Sequence, residues 1–249
     1  MKYCVVIPAR KNSTRLPNKP LLDICGKSML HRTFDQVAKS IPKDVIYVAT
    51  DCKEIFTHCE KFTQNIFLTY KNCETGTDRV AEFAKFYPDF THYINVQGDE
   101  PLVDPEDISR VIQAQLEYPY EIINGFSKIA RESEYRSLTI PKMVISEKGY
   151  LLYASRNAVP SNKLNIFSPN MANKQICIYS FPKDSLKYFG SGIGKSLNER
   201  VEDIEIIRFL ELGISVRMIE CFGNSVAVDT LDDLERVRKI ILDSDRSTS

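Results

Sequence analysis

Short apolar runs alternate with amphipathic segments along the first half of the chain. Runs rich in β-branched residues predict strands over 3–7, 45–49, 66–69 and 92–96. Apolar positions at helical spacing predict helices over 29–38, 53–62, 77–86 and 105–118. Because strands and helices alternate, the pattern predicts an α/β fold with a mostly parallel sheet and helices on both faces.

The middle third has a different pattern. Short strands are predicted over 122–126, 142–145 and 150–153, and the polar stretch 155–174 predicts a long loop of the kind that often serves as a lid. The remaining elements are strands over 175–181 and 216–219 and helices over 183–189, 200–212 and 231–242. We predict one domain over 1–249, with a β-rich and lid insertion at about 121–181, and not two domains.

Composition limits the classes of partner. The 249 residues include 33 basic and 33 acidic side chains, so no net charge recruits nucleic acid or an anionic membrane. No apolar run approaches the roughly 20 residues that a membrane helix needs, and the first residues lack a signal-peptide layout. Seven cysteines without a CxxC pair suit a reducing compartment. The sequence therefore predicts a cytoplasmic protein with no nucleic-acid or membrane partner.

The first strand leads directly into a basic loop. The segment over 5–21 reads VVIPARKNSTRLPNKPL and contains Arg10, Lys11, Arg15 and Lys19. In an α/β sheet the loop after a buried strand lies at the carboxyl edge, where ligands bind. Several cations there suit a triphosphate. The alternative is a solvated turn, since Lys and Arg are usually exposed.

Carboxylates follow two other predicted strands. NVQGDEP (95–101) places Gly98, which permits a close backbone approach, before Asp99 and Glu100, and SVAVDT (225–230) places Asp229 before the last helix. Carboxylates beside a phosphate site need a cation between them, and Mg²⁺ is the usual one. The alternatives are a turn at Asp99 and a helix N-cap at Asp229 or Thr230. We favour Asp99 and Asp229 as a magnesium pair.

One glycine-rich segment is not a phosphate loop. GSGIGKS (190–196) is one residue short of the GxxxxGK[ST] spacing, and it follows a predicted helix instead of a buried strand. We interpret Gly190 as the C-terminal cap of that helix.

Five segments together resemble one enzyme family. They are the opening VVIPARKNSTRLPNKPL, ETGTDRVAE (74–82), NVQGDEP, YLLYASRNAVP (150–160) and VAVDTLDDLERV (226–237). In this order, and over nearly the whole chain, they resemble the CMP-Kdo synthetases, the 3-deoxy-manno-octulosonate cytidylyltransferases of lipopolysaccharide and capsule synthesis. The resemblance implies a Rossmann-like nucleotidyltransferase fold, a homodimer formed through the inserted β-rich region, and transfer of CMP from CTP to an acidic sugar.

The resemblance also implies roles for individual residues. Arg10, Arg15 and Lys19 would hold the triphosphate, with Lys19, Asp99 and Arg15 catalytic, and Asp99 and Asp229 would bind Mg²⁺. The nucleotide site would further include Pro8, Ala9, Thr75, Arg79, Gln97 and Gly98. The sugar site would include Arg156, whose guanidinium matches a carboxylate in a bidentate manner, and Gln175, Tyr179 and Glu205. For Arg79, the alternative is an ion pair with Asp78 or Glu82 on its own helix.

The sequence departs from the family pattern at the predicted acceptor site. Gln175 stands where the family usually has a histidine, and Ile206 stands where it tends to have a glutamine. We therefore hypothesise a related 2-ulosonic acid, such as an amino or deoxy variant of Kdo, as the acceptor. The other readings are a CMP-sialate-type or other sugar nucleotidyltransferase, and a non-catalytic nucleotide-binding relative.

Overall fold

The computed structural model describes residues 1–11 and 16–247, without the side chains of residues 245 and 247. The described strands are β1 (Tyr3–Ala9), β2 (Asp23–Ile24), β3 (Lys27–Ser28), β4 (Ile46–Thr50), β5 (Ile66–Leu68), β6 (His92–Val96), β7 (Ile122–Lys128), β8 (Lys142–Ile145), β9 (Leu151–Ser155), β10 (Asn173–Pro182) and β11 (Val216–Glu220). The described α-helices are α1 (Met29–Val37), α2 (Lys53–Cys59), α3 (Gly76–Phe86), α4 (Pro105–Glu117), α5 (Glu132–Arg136), α6 (Leu197–Glu202), α7 (Ile207–Glu211) and α8 (Leu231–Ser247).

The main sheet has the strand order β11-β7-β10-β6-β1-β4-β5. Four neighbouring pairs are parallel, and β10 alone runs antiparallel to its neighbours β6 and β7 on this path. Val5, Val6 and Ile7 of β1 are fully buried because helices cover both faces of the sheet. The predicted α/β fold with a mostly parallel sheet is confirmed.

Two hydrophobic clusters fill the space between the sheet and its helices. On one face, α3 packs Val80 and Phe83 against Cys4 and Val6 of β1. On the other face, α1 and α4 contribute a second set of apolar side chains that includes Phe34. The apolar stripes of α1, α3 and α4 therefore point toward the sheet, as their helical spacing predicts.

The predicted helix over 200–212 is wrong. The structure has two shorter helices, α6 and α7, and Asp203 between them has a left-handed backbone with φ of 52°. The predicted helix over 183–189 is a 3₁₀ helix, Lys183–Tyr188. Helix α5, with five residues, and strands β2 and β3, with two residues each, are too short to have carried a recognised signal.

The β-rich middle segment begins and ends within the main sheet. Its first and last strands, β7 and β10, pair with each other, and the excursion between them contains β8, β9 and α5. The polar loop after β9 packs on α5 through a small cluster around Tyr135, Ile129 and Ala172. Closure of that loop over a substrate stays a prediction.

The carboxyl edge of the sheet brings the first loop and the NVQGDEP segment together. Strands β1 and β6 are parallel neighbours, with Val6 opposite Asn95, so the residues that follow them meet at one edge. A Cβ atom on Gly98 would lie 2.7 Å from the carbonyl oxygen of Pro8. Gly98 therefore permits the close approach that its position predicts. Within the described ranges, no helix combines the length and apolar character that membrane crossing requires.

Candidate active site

One cavity of about 1000 Å³ opens at this carboxyl edge. Every predicted site residue that the structure describes lines it: Pro8, Ala9, Arg10, Lys19, Thr75, Arg79, Gln97, Gly98, Asp99, Arg156, Gln175, Tyr179, Glu205 and Asp229. Arg15, predicted as a catalytic and triphosphate-binding residue, lies outside the described residues. Segments that are far apart in sequence thus form a single concave surface, which is where ligand sites usually lie in this class of fold.

The centre of the cavity is a cation between two carboxylates. The Lys19 Nζ lies 2.7 Å from Asp99 Oδ2 and 2.9 Å from Asp229 Oδ1, and the Lys19 side chain is 10% exposed. Burial lowers the pKa of Lys19, but the two carboxylates and their hydrogen bonds outweigh burial and raise it above its ordinary value. Lys19 therefore carries its positive charge throughout the neutral pH range.

Asp229 is not the cap of the last helix. The Thr230 hydroxyl accepts a hydrogen bond from the Asp233 backbone N–H at 3.2 Å, and the Asp233 carboxylate accepts from the backbone N–H of Thr230 at 2.9 Å. This reciprocal pair caps α8, so the Asp229 carboxylate is left to face Lys19. The capping alternative thus applies to Thr230.

The two carboxylates fit a magnesium ion. Both contact one positively charged atom, the Lys19 ammonium, from different loops, so their negative charges meet at a common point. Mg²⁺ in proteins usually takes one or two carboxylates together with substrate phosphates and water. In the described part of the chain, no group of three or more His, Cys, Asp or Glu side chains clusters as a metal site. A magnesium ion here would therefore need ligands from its substrate.

The loop that carries Asp229 is anchored to the rest of the cavity at several points. The Val228 N–H donates to the Asp99 carbonyl at 3.0 Å, and the Ser225 hydroxyl donates to the Glu100 carboxylate. Burial and the adjacent Asp99 raise the pKa of Glu100 to about 7. These contacts hold the second carboxylate of the pair at a fixed position relative to the first.

The wall of the cavity that lies across from the Asp229 loop begins at the N-terminus of α3. Thr75 caps this helix, because its hydroxyl accepts from the Asp78 N–H at 3.0 Å and the Asp78 carboxylate accepts from the Thr75 N–H at 2.9 Å. The Gln97 amide donates to the Glu205 carboxylate at 2.6 Å, and a Cβ on Gly76 would lie 2.6 Å from Gln97 Nε2. Burial raises the pKa of Glu205, and hydrogen bonds from Thr77 oppose that rise.

Arg79 pairs with neither acid of its own helix. Its guanidinium donates to Thr69 Oγ1 at 2.9 Å and to Asp51 Oδ2 at 3.0 Å, and the residue is 2% exposed. The predicted alternative of a pair with Asp78 or Glu82 is wrong. The fixed guanidinium reaches the cavity wall, where its nucleotide role stays a prediction.

Of the cations predicted in the first loop, the three that the structure describes have different partners. Arg10 lines the cavity and donates to the Glu74 carbonyl at 3.2 Å. Lys11 forms an ion pair with Glu54 of α2 and does not line the cavity. Among the described residues of this loop, the cavity therefore receives Arg10 and Lys19.

The predicted acceptor residues have differing surroundings. Gln175 donates to Asn124 Oδ1 at 3.0 Å and reaches the cavity, and Tyr179 is 3% exposed in the core at its floor. Ile206 lies in the hydrophobic core with Phe209 and does not line the cavity. The acceptor hypothesis therefore rests on Gln175 alone.

The Arg156 guanidinium is already extensively bonded. It donates to the carbonyl oxygens of Glu202 at 2.6 Å and Asp203 at 2.9 Å, and to two carbonyls of the loop before β8. A guanidinium has five N–H donors, so four carbonyl partners leave too few for a bidentate contact with a carboxylate. The predicted bidentate capture of the sugar carboxylate does not fit this arrangement.

Several charged lining residues were missed by sequence reasoning. They are Arg131, Glu134, Lys174, Lys195 and Arg236. Glu134 accepts hydrogen bonds from Arg131 and Lys174, each at 3.0 Å; burial raises the pKa of Glu134, but these bonds hold it below its ordinary value. No local pattern marks these residues, because the fold brings them to the cavity from separate segments: the β7–β10 segment for Arg131, Glu134 and Lys174, the loop before α6 for Lys195, and α8 for Arg236.

The chain matches known cytidylyltransferases over most of its length. The family model "Cytidylyltransferase" matches residues 4–214. The 3-deoxy-manno-octulosonate cytidylyltransferase of Francisella philomiragia is 38% identical over 247 residues, covering 95% of this chain and 97% of that protein. The enzyme of the same name from Protochlamydia amoebophila is 32% identical over 240 residues, covering 94% of this chain and 92% of that protein.

Solved structures agree with this relationship. A CMP:2-keto-3-deoxy-manno-octonic acid synthetase complexed with CTP superimposes with a TM-score of 0.86 at 30% identity, covering 98% of this chain and 100% of that one. A cytidylyltransferase from Leptospira borgpetersenii, at 18% identity and a TM-score of 0.61, shares the fold. With the family model, the relatives and the cavity in agreement, the chain belongs to the cytidylyltransferase family and is an enzyme of the 3-deoxy-manno-octulosonate cytidylyltransferase group.

Proposed function

We propose that this enzyme transfers the cytidylyl group of CTP to the anomeric hydroxyl of 3-deoxy-manno-octulosonate or a close analogue, with release of pyrophosphate. The product would serve lipopolysaccharide or capsule synthesis in the cytoplasm. The observation that carries the proposal is the convergence of Lys19, Asp99 and Asp229 in a cavity of a cytidylyltransferase fold. Such an arrangement of fixed charges suits a triphosphate and its counter-ion.

The chemistry requires positioning and charge neutralisation, and no covalent intermediate on the protein. The sugar hydroxyl attacks the α-phosphorus and loses its proton to water, a P–O bond forms, and the bond to the pyrophosphate oxygen breaks with its electron pair leaving on pyrophosphate. Lys19 contributes a buried, permanently charged ammonium beside the phosphates, and Arg10 contributes a second cation at the cavity wall. A preorganised charge in a partly dry cavity stabilises the transition state more than water does.

Asp99 and Asp229 would hold the magnesium ion. When bound, Mg²⁺ would neutralise charge on the triphosphate and on the departing pyrophosphate. Lys19 keeps the two carboxylates at one point, since it donates to both. These residues therefore define where the nucleotide's phosphates would lie.

The base and the acceptor would occupy opposite walls. Arg79 and Gln97 lie on the wall formed by α3 and the end of β6, where the cytidine would bind. On the other wall, Arg131 and Lys174 share the carboxylate of Glu134, and Lys195 pairs with Asp203. Three cations against two carboxylates leave a net positive charge, which suits an acceptor with a carboxylate.

Pyrophosphate release tests the proposal directly. The full chain is mixed with Mg²⁺, Kdo and each of CTP, UTP, GTP and ATP, and we expect release with CTP. Absence of pyrophosphate with CTP and with every acidic sugar in a panel would contradict the proposal. In the same panel, faster turnover of an amino or deoxy analogue than of Kdo would support the acceptor variant, whereas equal rates for every analogue would refute it.

The active form would be a homodimer. Leu152 of β9 is 61% exposed, and Val201 of the adjacent α6 is 77% exposed. Hydrogen bonds from Tyr153 and Ser155 to Glu202 hold β9 against α6, so these apolar side chains belong to neighbouring elements. We expect sedimentation at twice the mass of one chain, and a monomer for Leu152→Glu. Sedimentation of the unaltered chain as a monomer would contradict the dimer.

A further inference from the structure

The loop over residues 137–141 forms the wall of the cavity between α5 and β8. All five of its residues line the cavity: Ser137, Leu138, Thr139, Ile140 and Pro141. It lies next to Arg156 and Lys174, on the side that we propose for the acceptor. A loop of this kind can bind a substrate precisely only if its backbone is held in one conformation.

A fully buried lysine binds the first and fourth carbonyl oxygens of this wall. Lys142, the first residue of β8, is 0% exposed. Its ammonium donates to the carbonyl oxygen of Ser137 at 2.6 Å, to that of Ile140 at 2.7 Å, and to that of Arg156. Because a buried ammonium needs acceptors for all its donors, these three carbonyls fix its position and it fixes theirs.

Arg156 holds the middle of the same wall. Its Nη1 donates to the carbonyl oxygens of Leu138 at 3.1 Å and Thr139 at 3.3 Å. The Pro141 carbonyl accepts from the Gln175 N–H at 3.0 Å. Five consecutive carbonyls are therefore bound, four of them by two cations.

This arrangement has an electrostatic consequence for an acidic ligand. A carbonyl oxygen carries partial negative charge, so a free one on the wall would repel a carboxylate. The two cations bind these oxygens and so offset their partial negative charge. The loop itself has no titratable side chain; the Glu202 carboxylate, which accepts from the Arg156 N–H at 2.8 Å, and the Asp203 carboxylate, 3.9 Å from the Arg156 guanidinium, balance part of the positive charge behind it.

We infer that Lys142 is a positioning residue for the acceptor, which acts through the 137–141 wall and Arg156. It cannot touch a substrate, because none of its surface is exposed. The inference rests on the proposed function and deepens it: the affinity for the acidic sugar depends on Lys142, and the affinity for CTP does not.

Lys142→Met tests this separation, because methionine keeps the volume and removes the charge. We expect the KM for the acceptor to rise on the order of tenfold or more, since hydrogen bonds to a buried charge are lost. The KM and calorimetric Kd for CTP should stay within about twofold. An unchanged acceptor KM, or equal rises for both substrates, would overturn the inference.

Arg32→Met is the matched control. Arg32 of α1 also holds two backbone carbonyls, those of Ile24 and Cys25, and none of these residues lines the cavity. We expect no change in either KM. A rise in acceptor KM for Arg32→Met like that of Lys142→Met would show a general effect of stability and overturn the inference.

Two further measurements keep the inference testable if Lys142→Met does not fold. Burial and the Arg156 guanidinium lower the pKa of Lys142 to about 8, and Glu202 opposes this. The acceptor KM of the unaltered enzyme should therefore rise above about pH 8, and Lys142→Arg, which stays charged, should lose that rise. Identical pH profiles for both proteins would overturn the inference.

Hydrogen exchange separates this inference from the proposed function. Lys142→Met should speed exchange of the Thr139 and Gln175 amides, which donate to Ser137 and Pro141 of this loop, without speeding exchange in β6. This readout needs no turnover. If the unaltered enzyme releases no pyrophosphate, the proposed function fails, whereas unchanged exchange in these amides overturns the positioning role.

Discussion

At the scale of single residues, Asp99 carries the strongest prediction. Asp99→Asn keeps the shape and a hydrogen bond to Lys19 but removes one of the two charges that would hold Mg²⁺. We expect kcat at saturating CTP to fall by at least about 10²-fold, because fixed charge near the reacting phosphate is lost. Rates of the unaltered enzyme and of Asp99→Asn, each measured over a range of magnesium concentrations, test this fall in kcat.

Asp35→Asn is the control for Asp99→Asn. Asp35 of α1 forms an ion pair with Lys27 of β3 at 2.6 Å, and it does not line the cavity. The same chemical change there should leave kcat and the magnesium requirement unaltered. If Asp99→Asn turned over as fast as Asp35→Asn, the metal assignment would be withdrawn.

The lowered pKa of Lys142 predicts a pH-dependent stability. The shift from 10.5 to about 8 means that folding disfavours the charged ammonium. Below about pH 8 this cost is fully present, and it is relieved as pH rises from about 8 to 10.5, because the folded state releases its proton first. Relative to Lys142→Met, the unaltered protein should gain up to roughly 3 kcal/mol over that window. Urea unfolding of both proteins at several pH values measures this gain. If the unfolding free energies of the two proteins changed in parallel with pH, the prediction would be contradicted.

At the scale of elements, α4 anchors the loop that carries Asp229. The buried Asp107 carboxylate accepts from the Phe222 N–H at 2.7 Å and from the Gly223 N–H at 3.1 Å. In Asp107→Asn the amide NH₂ would oppose one of these donors. We expect a loss of about 1–3 kcal/mol in unfolding free energy and a higher magnesium requirement.

Asp104→Asn on the same helix is the control for this change. Asp104 caps α4 by accepting from the Glu106 N–H at 2.9 Å, and asparagine caps a helix equally well. The contact of Asp104 with the loop, from Asn224 Nδ2, is exposed and long at 3.4 Å, so it contributes little. The unfolding free energy of Asp104→Asn should change by less than about 0.5 kcal/mol. Equal losses in the two variants would show that the loop anchor has no special role.

The elements that the sequence predicts are those with a local cause. Strand 92–96 follows from a short apolar run with β-branched residues, and helix 105–118 follows from apolar residues at helical spacing after Pro105; both are found within a residue. The break between α6 and α7 could not be read locally. It depends on Arg156, 46 and 47 residues away, which binds the carbonyls of Glu202 and Asp203 where α6 ends.

In the candidate site, too, some residues could be predicted from local sequence and others could not. Lys19, Asp99 and Asp229 were predictable because each follows a strand or precedes a helix at the carboxyl edge. Lys142 was not singled out, since its sequence context is an ordinary β-strand and its role depends on carbonyls of two loops. Local chemistry therefore identifies groups that lie next to regular elements, and the fold alone identifies groups that support them.

At the scale of the whole molecule, the cavity joins segments from both ends of the chain. Lys19 lies 210 residues from Asp229 and 80 from Asp99, so the ion pairs close long loops of the chain. Few local contacts hold these segments together before the fold is complete. A ligand that contacts all of them therefore binds the folded state and not the unfolded one.

This geometry predicts that CTP with Mg²⁺ stabilises the entire fold. At a hundredfold excess over Kd, binding adds about 2.7 kcal/mol, which for a chain of this size raises Tm by roughly 5–10 °C. UTP at the same concentration should raise Tm less, since it lacks the amino group of cytosine.

Asp229→Asn should abolish the part of the shift that requires magnesium but keep the rest, because Lys19 and Arg10 still face the phosphates. Thermal scans of the full chain with each nucleotide, with and without Mg²⁺, measure these shifts. Equal shifts for CTP and UTP would contradict the cytidine site, and a magnesium-dependent shift that persists in Asp229→Asn would contradict the metal pair.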